Sequence, residues 1–191
     1  MKILSRLSIS CAVLALLSTS AYADGNLRGY VGTKLGDAYT INSVSGDDTY
    51  SKSAFTVNPF VGVQYRDGSV LGSRVELEGF FHSKASKEIR NRDGSVQSLG
   101  FFVNYNLDFC VSKTFVPYIA FGAGYAHSKV TYAGFEGKKD SLAWNAGAGL
   151  GINLTDNLGL DIGARFADYG TYKGDVDLKA VDFLAGIKYT F

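Results

Sequence analysis

Two histidines are each followed by a serine, His82-Ser83 and His127-Ser128, and these are the places where a nucleophile could be prepared. Nucleophilic chemistry needs the serine, its base and an orienting carboxylate on one surface. Neighbours in an extended chain point to opposite faces, so neither pair can make that contact across its own segment. His82 shares a parity with Glu76 and Glu78, but no serine is placed with them. Metal binding lacks ligand spacing, since two histidines and the thiols are scattered along the chain. The run Gly147-Ala148-Gly149-Leu150-Gly151 sits inside an alternating segment with no helix after it, which is the wrong setting for a phosphate loop. No catalytic, cofactor-binding or metal-ligating residue is therefore assigned, and no enzyme activity is expected. A balance of 19 basic against 18 acidic residues argues equally against a nucleic-acid partner.

The elements that carry these residues repeat every two positions. From Leu142 to Leu154 one parity reads Leu142, Trp144, Ala146, Ala148, Leu150, Ile152 and Leu154, and the other is glycine, alanine and asparagine. Strict alternation of this kind is a strand with two unlike faces. The pattern recurs around 74–81, 99–109, 158–167 and 181–191, and less cleanly at 27–36, 54–66 and 115–128. Short connectors at 67–70, 110–114 and 155–157 alternate with long polar ones at 37–53, 84–95, 129–140 and 170–177. Asp67-Gly68 is a tight-turn dipeptide. The chain of 191 residues thus reads as all-β, an up-and-down set of eight antiparallel strands. Pro59 removes one ladder donor inside the second strand, where a bulge is expected.

Residues 1–23 have a different character. Lys2 and Arg6 precede an apolar stretch from Ile9 to Leu17, and Ala21-Tyr22-Ala23 is a cleavage signature. The expectation is a signal peptide over 1–23 and a single domain over 24–191. Losing Lys2 and Arg6 turns the net charge of +1 into −1 and leaves Cys110 without an intramolecular disulfide partner. Cys110 falls in a short turn. Beyond residue 23 nothing approaches the roughly eighteen consecutive apolar positions that a spanning helix needs.

The two strand faces decide the environment. The apolar parity carries Phe101, Tyr105, Phe109, Trp144, Phe166, Phe183 and Tyr189. The other is rich in glycine and holds Arg74, Glu76, Glu78, Asp161, Arg165, Asp182 and Lys188. Glycines weaken strands, and beside long charged residues they read as room made inside a narrow barrel. A soluble barrel would turn its apolar parity inward; a membrane barrel turns it towards lipid. Tyr65, Phe115 and Tyr189 at one end, with Phe81, Tyr125, Trp144 and Tyr169 towards the other, suit two interfacial girdles. The charges would pair as a lumen network, with Phe80 and Phe102 helping to fill the space.

Three segments carry a resemblance. They are Pro117-Tyr118-Ile119-Ala120-Phe121-Gly122-Ala123-Gly124-Tyr125, Gly163-Ala164-Arg165-Phe166-Ala167-Asp168-Tyr169-Gly170, and Ala185-Gly186-Ile187-Lys188-Tyr189-Thr190-Phe191. On these the chain resembles the small eight-stranded outer-membrane β-barrel proteins of Gram-negative bacteria, of the opacity-protein and surface-antigen type. The resemblance implies that Ile187, Tyr189 and Phe191 form the signal read by the outer-membrane assembly machinery. It also implies both termini in the periplasm, four long connectors outside the cell, and no periplasmic domain after Phe191. Members include adhesins, host-protein binders and structural barrels.

The expected role is that of an integral outer-membrane surface protein, acting in adhesion or envelope integrity through its loops. Tyr50, Lys84, Lys87, Arg90, Arg92, Tyr132, Phe135 and Tyr172 are the candidate loop contacts. Expected partners are outer-membrane lipid and lipopolysaccharide, the assembly machinery and a host-surface ligand, with the protein itself a monomer and without a cofactor. A small porin-like pore or transporter of small solutes is the alternative, and a lipid-modifying barrel enzyme a remote third reading. Phe191→Asp is expected to abolish assembly, read as loss of the gel-mobility difference between boiled and unheated outer-membrane fractions.

Overall fold

In lipid every strand edge must be paired, because no water is present to satisfy free N–H and C=O groups. The computed structural model meets this by closing on itself. It describes residues 26–44, 48–83, 85–89, 92–132, 135–172 and 176–191. The strands are β1 (Leu27–Val44), β2 (Asp48–Tyr65), β3 (Leu71–His82), β4 (Ala85–Ile89), β5 (Arg92–Phe109), β6 (Phe115–Tyr132), β7 (Phe135–Asn153), β8 (Leu158–Tyr172) and β9 (Val176–Thr190). β3 and β4 lie end to end along β5 and act as one stave, so the antiparallel ring has eight staves. β9 returns to β1 and closes it. Residues 1–23 fall outside the described residues.

The register fixes the shape. Partner by partner the ring runs from Tyr30 through Gly62, Glu76, Asn104, Gly122, Asn145, Ala167 and Ala180, and returns to β1 at Thr40. The return lies ten residues beyond the start, which tilts the strands by about 40° in an eight-stranded barrel. Side chains of one parity all meet inside. Glu78, Asp182 and Phe102 are fully buried, while Trp144 and Phe183 on the other parity are 50% and 60% exposed. The apolar face is therefore outside and the polar face within. On β6 the outward positions stay apolar from Phe115 to Tyr125 and turn polar at His127. At a rise of about 3.3 Å per residue and this tilt, that band is about 25 Å tall, the height of an outer-membrane belt.

Three expectations need correction. The long connectors are mostly strand: β1 and β2 stay paired to Val44 and Asp48, and β6 and β7 to Tyr132 and Phe135. These extensions continue past the apolar belt, and in sequence they lack the alternation of apolar and polar residues that marks a strand. The bulge expected at Pro59 is absent. Thr33 pairs with Pro59 in unbroken register, and the β2–β3 register is the same on either side of it. Pro59 lies instead over Gly79, its Cγ 3.7 Å from where a Cβ would sit. The register shift falls between Asp168 and Thr171, where Gly170 adopts φ 82° and donates its N–H to Asp168 at 2.8 Å. Tyr169, placed in a girdle by sequence, sits on the inner parity and is buried. At the opposite end the Asp67-Gly68 turn behaves as expected. Gly68 has φ 85°, and hydrogen bonds from Ser69 hold the Asp67 carboxyl below its usual range.

The lumen glycines have a packing reason. Tyr30 faces Gly62, Phe60 faces Gly32, Phe80 faces Gly100 and Tyr118 faces Gly149 as direct cross-strand partners. In each pair the ring lies over the space a Cβ would need. For Gly149 the Tyr118 ring carbon is 2.5 Å from that position, and the same hydroxyl is 2.8 Å from it at Gly163. Gly149→Val should therefore destabilise the barrel by about 1–3 kcal/mol through overpacking. Outward-facing Gly79→Ala should change stability by no more than about 0.5 kcal/mol. Urea unfolding of both variants in vesicles measures the difference.

Candidate functional site

The lumen is layered from the long-hairpin end to the short-turn end. Uppermost is an aromatic plug. Phe80 stacks on Phe102 with centroids 4.9 Å apart, and Tyr169 packs against Phe80 at 5.3 Å and His82 at 5.4 Å. Below it lies an ionic layer centred on Glu78. That carboxylate takes a hydrogen bond from Lys34 at 2.9 Å and from Asn58 at 2.8 Å, and it pairs with Arg165. Arg165 also holds Asp182 at 2.8 Å, and Lys34 holds Glu76 at 2.7 Å. A lower layer joins Arg74 to Asp108 at 2.9 Å and to Asp161 at 3.5 Å, with the Tyr118 hydroxyl donating to Asp161 at 2.6 Å. Arg66 reaches Asp108 from the mouth at 3.1 Å.

The charge balance explains how this interior is tolerated. An unpaired buried ion would cost several kcal/mol. Here Lys34, Arg66, Arg74, Arg165 and Lys188 equal Glu76, Glu78, Asp108, Asp161 and Asp182 in number, and all of these cations except Lys188 lie in ion pairs. Asn104, bonded by Asn145 at 2.9 Å, fills the gap beside Glu78. A void of about 30 Å³ lies within this layer, room for one water.

Of the charges singled out in sequence, Arg74, Glu76, Glu78, Asp161, Arg165 and Asp182 come together here. Lys188 lies apart at the short-turn mouth, with Gln64 at 3.5 Å and the Tyr30 ring at 5.2 Å. Sequence reasoning missed Lys34 and Asp108. Both stood on the polar parity, Lys34 between Gly32 and Gly36 and Asp108 after Asn104 and Asn106, so the signal was present. Ile187 and Tyr189 face outward on β9, and Tyr189 packs edge-on to Phe191 at 5.5 Å. Lys84 and Arg90 lie outside the described residues. So do the side chains of Tyr50, Lys87, Arg92, Tyr132, Phe135 and Tyr172, whose main chains lie in hairpin strands.

Neither histidine meets its neighbouring serine. His127 faces outward, its Nδ1 2.5 Å from Asp140 on β7, while Ser128 turns inward to Ser98 at 2.9 Å. His82 is buried in the aromatic plug. Among the described residues no His, Cys, Asp and Glu cluster has the make-up of a metal site.

An inside-out barrel with a salt-bridged lumen is matched by the family model described as the outer membrane protein beta-barrel domain, over residues 9–191. The chain belongs to that family. As a member of the outer-membrane β-barrel family it is an integral protein of the outer membrane. It is 28% identical to the outer membrane protein PagN of Salmonella typhimurium, over 94% of this chain and 95% of that protein. It is 27% identical to a 25 kDa outer-membrane immunogenic protein of Brucella melitensis, over 85% and 78% of the two chains. Among solved structures, Neisserial surface protein A aligns with TM-score 0.60 at 22% identity, over 85% of this chain and 97% of that one. Ail, the attachment invasion locus protein of Yersinia pestis, aligns with TM-score 0.54 at 19% identity, over 85% and 99%. The two structural likenesses show a shared fold.

Glu78 is the hub of the lumen, so its removal takes one of two carboxylates from Lys34 and one of two from Arg165 and leaves the layer with an excess positive charge. Glu78→Gln should cost about 3–5 kcal/mol, and Glu78→Leu combined with Arg165→Met should cost less than the two single changes added together. Urea unfolding of the four-member cycle checks this, and strict additivity would break the pairing.

Proposed function

We propose that this outer-membrane barrel is a surface interaction protein that promotes adhesion through its projecting hairpins and performs no catalysis. The observation that carries the reading is the continuation of β1–β2 and β6–β7 as paired strands beyond the apolar belt. Strands paired this far beyond the belt form ordered stems, and a contact made on an ordered stem loses little conformational entropy on binding. The lumen beneath them is filled with paired charges, which directs function to the outside. In sequence, the segment around β4 carries Lys84, Lys87, Arg90 and Arg92 against Glu88 and Asp93. With Tyr50, Tyr132, Phe135 and Tyr172 it supplies the cation and aromatic types that anchor contacts, suited to acidic glycans or lipopolysaccharide. The comparison with Ail is consistent with this reading, since that protein is named for attachment and has been captured with the heparin analogue sucrose octasulfate.

The test is display of the protein on a non-adherent Gram-negative host. Adherence to epithelial cells and retention on a heparin resin should both fall on the order of tenfold when Lys84, Lys87, Arg90 and Arg92 are changed together to serine. Heat-dependent gel mobility should be unaltered. Unchanged adherence of the quadruple variant would refute the assignment to this segment. A steady conductance of the purified protein in a planar bilayer would favour the pore reading instead.

A further inference from the structure

The two ends of the lumen are unlike. The long-hairpin end is stopped by Phe80, Phe102 and Tyr169, whereas the short-turn end opens into a cavity of about 590 Å³. Its walls come from the turns after β2, β5 and β7 and from the inner faces of β1 and β9. Arg28, Arg66, Lys113 and Lys188 line it, and Asp156 supplies the carboxylate among its lining residues. Two of these cations are built into the wall. Lys188 is only 5% exposed, yet among the described residues no carboxylate lies within ion-pair distance of its ammonium. Arg66 gives one arm to Asp108, while its Nε is buried with no hydrogen-bond partner. A buried ammonium and a buried guanidinium N–H both left short of an acceptor beside an aqueous cavity are groups that an oxyanion would satisfy.

We infer that this short-turn mouth, independently of the hairpins, is a binding site for a small oxyanion bearing phosphate or carboxylate groups, entering from the periplasmic side. Lys188 and Arg66 would be the inner contacts and Lys113 the outer one. The aromatic plug makes the site a blind pocket, so the ligand is held and returned to the same side. Low-dielectric walls focus the field of these cations, which raises the local anion concentration.

Cys110 reports on this space because it lines the same cavity and is part-exposed. The protein is purified from outer membranes in detergent with Cys11→Ser, so that Cys110 is the reacting thiol. Its rate of modification is compared for a sulfonate-bearing and a trimethylammonium-bearing methanethiosulfonate, each normalised to the rate with a free small thiol. The anionic reagent should be favoured on the order of tenfold. Lys188→Met and Lys113→Gln should each reduce that preference while leaving heat-dependent gel mobility intact; Lys113 sits at the exposed rim, so its variant guards against misfolding of the other. Inorganic phosphate or pyrophosphate at millimolar concentration should slow the anionic reagent if the ligand is a soluble anion. Slowing by phosphatidylglycerol vesicles but not by free phosphate would assign the same site to a lipid headgroup. Equal rates for the two reagents, or a faster cationic one, would overturn the proposal.

Discussion

Closure of the β1–β9 seam is the constraint from which the other features follow. A sheet in lipid has no solvent for its edges, so the last strand must find the first. With eight staves and a ten-residue offset around the ring, the interior is just wide enough for side chains. The outward face is then free to be apolar. The inward face must then hold the polar groups the chain carries, and most of its charges do so in ion pairs.

The narrow interior explains both the ionic layers and the glycines. Long residues such as Lys34, Arg74 and Arg165 cross the lumen to partners on other strands, and their neighbours must be small. Glycine meets that need locally, and the aromatic partner opposite restores the packing that a glycine strand gives up. Tyr118 does both jobs: its ring covers Gly149 and its hydroxyl binds Asp161. The network is therefore best understood as the core of this protein, one in which charge pairing takes the place of apolar burial. Such pairs are costly to break singly even where they add little in total.

This arrangement divides the surface by role. The apolar belt faces lipid, the long hairpins project from one rim of the barrel and the short turns form the other. Phe80, Phe102 and Tyr169 pack together in the lumen between the two ends. The two proposed activities sit at opposite ends and can be tested independently.

Much of this was legible in the sequence, because a period of two with unlike faces over eight segments permits few architectures. The residues themselves determined the stave count, the short turns, the outward apolar parity and most of the charged lumen. Glycine beside Arg and Glu even announced the narrowness of that space. Three things were decided only by the tertiary structure. Beyond the belt the hairpin extensions carry no alternation of apolar and polar residues and so read as loops, although the ladder continues through them. Pro59 stays in unbroken register with Thr33 and leaves the β2–β3 register unshifted on either side of it, a relation between strands that no single segment contains. Finally, parity says which charges enter the lumen but not at what height. The register alone brings Lys34 to Glu78 and leaves Lys188 at the mouth without a carboxylate, since pairing depends on how far each strand has slid along its neighbour.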